Sequence, residues 1–320
     1  AQLAADGRRV LVLSFNVTLA NRLRSMVDAH ARDVGANPTL VTCANFHSFC
    51  TRVVQDAEVV GAHLAAPAGM PWTVGIVAKA AQSYELGYGA RYDAILVDEG
   101  QDFTSDWWDL LRNSVLVDDG ETLVAVDPTQ DVYDRVAWLD EASDVALPGE
   151  RVRLDESLRM PNDLLALSVE FATNRLDGDD VFASPLVAHD AGSVRNWIDV
   201  DRVQELGPAI GREVVRMLEE YPTLSPADVS FVCDYHHDGV AAVRVIEAAG
   251  IPVHHIYSRD PDAPRRRRKH RFWPDVAAVK GCTVHSLKGW QSTAVVLGIG
   301  ADDRARRPVS YTHLRAHETT

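Results

Sequence analysis

The stretch RYDAILVDEGQDFTSDWW, residues 91–108, decides the fold. Ala94 to Val97 is a continuous apolar run without alternation, the pattern of a parallel strand buried on both faces. Asp98, Glu99, Gln101 and Asp102 follow where that strand should end. In an open α/β sheet, ligands bind beyond the carboxyl ends of the strands, so acids delivered there are placed to handle a ligand. Thr104 and Ser105 are candidate caps for a helix beginning near Asp106.

Outward from this strand, residues 8 to about 145 alternate strand and helix patterns. Strands are expected at Val10 to Leu13, Thr39 to Thr42, Ala94 to Val97 and Thr122 to Val126, which implies parallel α/β layering. The helix expected after Asn16 carries Leu19, Leu23, Met26 and Val27 at helical spacing, so one face should be buried. Residues 51–90 are Ala-rich and read as a small helical insertion. DVALPGERVRL, residues 144–154, reads as the hinge to a second unit. There, helices are expected at Pro161 to Phe171, Val203 to Tyr221 and Gly239 to Ala249. Strands are expected at Val229 to Cys233, Val253 to Tyr257, Gly281 to Val284 and Thr293 to Ile299. The expected domains are 1–147 and 148–307.

At 320 residues the chain can support two cores, since one core rarely grows past roughly 250–300 residues. The composition, 46% hydrophobic and 24% charged, is that of a globular protein. With 32 basic and 46 acidic residues the net charge is −14, which argues against a protein that coats nucleic acid by bulk charge but leaves room for a local basic groove. Four cysteines without paired spacing, Cys43, Cys50, Cys233 and Cys282, point to a reduced, cytoplasmic setting. Cys43, His47 and Cys50 lack a fourth partner for zinc and read as ordinary half-buried residues. No apolar run reaches the length of a membrane span.

Adjacent acids at a strand end suit phosphate hydrolysis: one carboxylate, Asp98, can hold Mg²⁺ while the next, Glu99, orients and polarises the attacking water. TLVAVDPTQDVY, residues 122–133, repeats the design and delivers Asp127 and Gln130. A Gln there can sense a terminal phosphate as a neutral donor and acceptor, although an ordinary turn needs no such role.

These segments resemble, in order, the motifs of the UvrD/Rep-like superfamily 1 helicases. ILVDEGQDF is similar to motif II (DExQD) and VAVDPTQDVY to motif III. LSFNVTLANRLR looks like motif Ia, NFHSFC like the TFHSF segment, LDESLRMP like motif IV, and TVHSLKGWQSTAVVL like motif V. The resemblance spans residues 11 to 297 and implies two RecA-like P-loop NTPase domains with parallel sheets and a nucleotide cleft between them.

It further implies ATP and Mg²⁺ as cofactors and single-stranded DNA as partner. Asp98 would bind Mg²⁺ and Glu99 would act as catalytic base. Gln130 and Arg159 would contact the γ-phosphate, for which an always-charged, forked guanidinium is suited. Gly289, after Lys288, lets backbone approach the nucleotide closely, and Gln291 stands where a Glu usually meets the ribose. Phe15, His47, Thr283 and His285 would line the DNA, in loops along one edge; an aromatic such as Phe15 can stack a base without reading sequence.

Departures accompany the matches. The GxxGxGKT phosphate loop is absent; the chain opens as the end of a helix, and a GKT or GKS is expected within about 20 residues before Ala1. Motif VI is missing, and YTHLRA with Arg315 only mimics it. Pro308 to Thr319 back-translates to a sequence resembling a transposase adapter, so 308–320 are set aside as a read-through tail. Leu158 replaces a usual Tyr. RRRRKHR, residues 265–271, is the one strongly basic stretch; it is covered by no family motif and reads as a solvated loop or a phosphate grip.

The expected function is an ATP-dependent DNA helicase or translocase, with this piece inactive alone. The alternatives are a regulatory or nuclease-coupled ATPase with little unwinding, which the short insertion favours, and a catalytically inactive nucleic-acid-binding scaffold.

Overall fold

The structure, a computed structural model, describes residues 1–127, 149–150, 152, 154, 161–175, 193, 196–258, 265–274 and 276–300, with 171–175 and 265–267 described by backbone alone. The chain divides into two compact units, Ala1–Gly149 and Glu150–Thr320.

In the first unit, α1 (Gln2–Ala5) leads to β1 (Val10–Ser14), α2 (Val17–Asp33), β2 (Val41–Asn45), α3 (Phe46–Val59), α4 (Trp72–Glu85), β3 (Tyr92–Asp98), α5 (Ser105–Leu110) and β4 (Leu116–Val124). The four strands form one parallel sheet in the order β2-β1-β3-β4. All five residues of β1 are buried, as an unbroken apolar run inside a covered parallel sheet requires. Strand alternation divides them between two cores. Val10 and Val12, with Ala94 and Leu96 of β3, meet α1 and α2 through Ala4, Leu23, Val27 and Ala31. Leu11 and Leu13, with Ile95 and Val97, meet α3, α4 and α5 through Phe49, Val53, Ile76 and Trp108. The sheet is therefore covered on both faces.

Local chemistry sets the boundaries. Asn16 starts α2, its side chain accepting from the Thr18 backbone N–H at 3.1 Å, the cap expected of Asn. Met26 is 56% exposed, so the apolar stripe of α2 runs through Leu19, Leu23 and Val27 without it. The second strand starts two residues later than expected because Pro38–Leu40 forms a 3-10 turn capped by Asn37. The fourth covers Leu116–Val124, where Thr122 to Val126 was expected; its pairing with β3 slips between Tyr92 and Ala94, and that irregularity lengthens it toward the N terminus. Thr104 occupies the cap position of α5 but makes no capping bond; its hydroxyl is buried without a partner among the described residues.

The second unit contains α6 (Asn162–Arg175), α7 (Leu206–Glu220), β5 (Val229–Cys233), α8 (His236–Ala248), β6 (Val253–His255), α9 (Arg265–His270), β7 (Val279–Cys282), α10 (Val284–Leu287) and β8 (Ala294–Gly298). Its sheet is also parallel, in the order β6-β7-β5-β8. A 3-10 turn over Val203–Glu205 precedes α7, and α8 begins three residues before the expected Gly239. Gly207 and Gly211, one turn apart on α7, let α8 come close: a Cβ on Gly207 would lie 2.5 Å from the Asp238 carbonyl oxygen, and one on Gly211 2.7 Å from the Val245 Cβ. Ile210 and Val214 then pack with Phe231, Ala242 and Ile246. The expected α/β class holds, as two four-stranded parallel sheets with helices. Among the described residues, no helix is long and apolar enough to cross a membrane.

Candidate functional site

Because every strand of the first sheet runs the same way, β1, β2, β3 and β4 all deliver their next residues to one edge. Phe15 follows β1, Phe46 and His47 follow β2, Asp98 and Glu99 close β3, and Asp127 lies just past β4. The edge has an acidic part and an aromatic part.

The acidic part turns on Glu99. Its backbone is left-handed, φ 58° and ψ 47°, and it is the only non-glycine residue with positive φ among those described. Such a conformation costs of order 1–3 kcal/mol in a non-glycine residue and concentrates at functional sites. Surrounding bonds hold it. Asp98 Oδ1 accepts from the Glu99 N–H at 3.0 Å. The Gly100 N–H donates to the Ala125 carbonyl at 2.9 Å, and only a glycine fits there, since a Cβ would lie 2.6 Å from Val124 Cγ1. Gln101, fully buried, donates through Nε2 to Glu99 Oε2 at 2.7 Å and accepts through Oε1 from the Asp127 N–H at 3.1 Å. One amide thus joins the acid turn after β3 to the end of β4. Asp98 and Glu99 themselves remain partly accessible.

The aromatic part brings Phe15 and His47 together, ring centres 6.4 Å apart. Both are half-buried. Phe15 stacks on Trp107 at 5.9 Å, and Trp107 stacks on Phe46 at 4.3 Å. On the outer side His47 lies 5.9 Å from the ring of Trp72, which is 50% exposed. His47 sits in the first turn of α3, where a loop was expected. The rings form a platform with a buried base, Phe46 and Trp107, and an accessible rim, Phe15, His47 and Trp72.

Trp72 and Trp107 were not among the residues singled out from sequence. Trp107 carries a signal, a Trp pair directly behind the acid strand. Trp72 carries none, since its neighbours are an undistinguished Ala-rich segment.

In the second unit, the chain leaves β7 at Cys282 into Thr283, which precedes α10 and donates from Oγ1 to Ser286 Oγ at 3.2 Å. His285 is exposed and lies within α10, where a loop was expected. Gly289 takes φ 77°, a turn that a side-chain-bearing residue adopts only with strain. Trp290 is buried beneath this turn against Phe272, 4.9 Å between ring centres, and the turn leads through Lys288 to Gln291. Thr283, His285, Gly289 and Gln291 therefore share one short connection. Gln130 and Arg159 lie outside the described residues.

The thiols are structural. All four cysteines are buried, and burial pushes Cys43 up to about 11 and Cys50 and Cys233 up to about 12. Cys43 and Cys50 belong to the cores on opposite faces of the first sheet. Among the described residues no three His, Cys, Asp or Glu side chains group as a metal site. A cavity of about 460 Å³ in the second unit lies between residues 196–203, α7 and β8, lined by Trp197, Leu206, Ile210, Met217 and Leu297; it contains none of the candidate residues. In comparisons with known proteins, the chain matches no family model and no curated protein.

Proposed function

We propose that the chain is the motor portion of an ATP-dependent DNA translocase or helicase of the UvrD/Rep-like type, with two RecA-like domains. The observation that carries this reading is Glu99: an acid in a left-handed turn at the carboxyl end of a parallel strand, its carboxylate oriented by a buried amide. Strained, over-determined acids at a sheet's ligand edge are the arrangement expected of a group that must meet a water in one direction.

In this reading Glu99 accepts the proton of the water that attacks the γ-phosphate, and Gln101 fixes the direction of its carboxylate. Asp98 would hold Mg²⁺. The fit is chemical: Mg²⁺ is a hard cation for which one or two protein carboxylates suffice beside a bound phosphate, and the Asp98 carboxylate is oriented by the Glu99 N–H at its Oδ1. When bound, Mg²⁺ neutralises the charge that develops on the phosphates. Gln130 and Arg159 are assigned the γ-phosphate. Phe15 and His47 are assigned single-stranded DNA, and they share the sheet edge of the acid pair, as coupling of hydrolysis to grip on a strand requires. Thr283 and His285 are assigned the same strand, and Gly289 and Gln291 the nucleotide.

The test is E99Q in the full-length protein. DNA-stimulated ATP hydrolysis should fall about 10²- to 10⁴-fold, the usual worth of a positioned general base, with nucleotide binding retained. Unchanged turnover removes Glu99 from catalysis and the motor reading with it.

A further inference from the structure

The basic stretch at residues 265–271 is not a loose loop. Arg265–His270 forms α9, and Phe272, two residues past its end, is wholly buried. Phe272 stacks on His254 at 5.2 Å and packs on Trp290 at 4.9 Å, in a small core with Ile256, Cys282 and Leu287. Two further bonds fix the segment: Arg268 Nη1 donates to the Tyr257 carbonyl, and the Arg271 carbonyl meets His254 Nε2 at 2.7 Å. Cys282 and Trp290 bracket the connection that carries Thr283, His285 and Lys288. Phe272 therefore bolts a cationic helix beside that connection.

Six of the chain's 32 lysines and arginines fall in these seven residues, in a protein of net charge −14. Arg268 and Arg271 are exposed. A compact cation cluster on an acidic chain localises polyanion binding to one place.

We propose that α9 with Arg271 is a phosphate-backbone clamp for single-stranded nucleic acid, held by Phe272 alongside the Thr283–Gln291 connection; the choice of nucleic acid rests on the function proposed above. A membrane surface fits less well. Interfacial helices present an apolar face, whereas α9, RRRRKH, has no apolar residue to form one, and of Phe272 and Trp273 after it Phe272 is buried and Trp273 is only partly accessible.

The experiment is anisotropy of a labelled dT oligonucleotide with the whole chain from about 50 to 200 mM KCl. Each phosphate contact on a single strand adds about 0.7 to the slope of log affinity against log salt. R268Q/R271Q should lower the slope by about 1.4, so that the wild type loses about sevenfold more affinity than the variant over that range. R268K/R271K should keep the wild-type slope, and an rU oligonucleotide should show the same difference, because charge on the backbone is what is read. Arg268 also braces Tyr257, so R271Q alone, expected to remove about half the effect, gives the answer if the double variant does not fold.

An unchanged slope overturns the clamp, as does failure of the wild type to bind either oligonucleotide. Binding to phosphatidylserine-rich vesicles in place of oligonucleotide overturns it in favour of a membrane. If F15A weakens binding while R268Q/R271Q does not, the clamp fails and the motor reading stands. If the slope falls but DNA never stimulates ATP hydrolysis by the full-length protein, the clamp stands and the motor reading fails.

Discussion

The buried Gln101 side chain donates to the Glu99 carboxylate at 2.7 Å. The same amide accepts from the Asp127 N–H at 3.1 Å, so it fixes an acid and ties two strand ends at once. Q101A leaves both partners without it and should cost about 1–3 kcal/mol of stability. Q101E sets a second carboxylate against Glu99 and should cost more at pH 7 than at pH 5, where protonation relieves the repulsion. Urea unfolding of both variants at the two pH values checks this; a Q101A as stable as the wild type would show the amide to be dispensable.

Glu99 should set backbone strain against side-chain bonding. Glycine adopts φ 58° without a Cβ penalty, a relief of about 1–3 kcal/mol, but E99G also takes the acceptor from the buried Gln101 amide, a cost of about the same size, so E99G should lie within about 1 kcal/mol of the wild type. E99Q keeps the strain and should stay within about 0.5 kcal/mol. On the function proposed above, both should lower ATP hydrolysis about 10²- to 10⁴-fold. Paired denaturation and turnover measurements separate strain from chemistry, and a destabilised E99G would mean that the carboxylate's bonds outweigh the strain.

The aromatic rim should grip bases. Trp72 is half exposed beside His47, so W72A should change stability little while weakening oligo-dT binding by about 1–3 kcal/mol, or about 5- to 150-fold in Kd. F15A should weaken binding comparably and also loosen the stack on Trp107. Titration of a labelled oligonucleotide with each variant decides it; equal affinity in W72A would confine the contact to Phe15 and His47.

The approach of α7 to α8 should tolerate no methyl group. G211A places its Cβ 2.7 Å from Val245 Cβ and 2.8 Å from the Ala242 carbonyl oxygen, and overpacking of this kind costs about 1–3 kcal/mol. Opposing this, alanine favours the helix by somewhat under about 1 kcal/mol. A net loss in urea unfolding is expected, and V245A should recover little of it, because alanine keeps the Cβ at 2.7 Å and removes only the Cγ1 contact at 3.1 Å.

His255 should make the second unit acid-sensitive. Burial first, then the charges of Arg268 and His254, lowers its pKa from 6.5 to about 4. The unfolded chain therefore binds a proton that the folded chain refuses. Its contribution is intact above pH 6.5 and is lost as pH falls from 6.5 toward 4. H255Q should narrow the difference between urea midpoints at pH 7 and pH 4.5, and an unaltered difference would show that His255 does not set the acid response.

The α/β class and most strands were legible because period and run length carry that information locally. Val229–Cys233 is the strand expected, residue for residue, since an unbroken apolar run bounded by polar residues admits little else. Errors fall where neighbours decide. Leu116 joins β4 through its pairing with Tyr92 of β3, and Met26 lies outside the buried stripe although its spacing fits it. Asp98 and Glu99 were legible as an acid pair at a strand end. That Glu99 is strained, and that Gln101 aims it, was not, because backbone hand and amide direction depend on Val124, Ala125 and Asp127, more than twenty residues away.

By itself, the sequence determined which strands exist, that they run parallel, and that an acid pair leaves one of them at its carboxyl end, because these follow from apolar periodicity and the direction of the chain; the aromatics of that edge were implied only by the resemblance. Tertiary structure alone decided that Trp72 joins Phe15 and His47, and that Phe272 seats a basic helix against Trp290. The physical reason is separation: side chains far apart along the chain meet only when a core is packed, and no local pattern encodes which of many exposed aromatics or cations the packing will bring together.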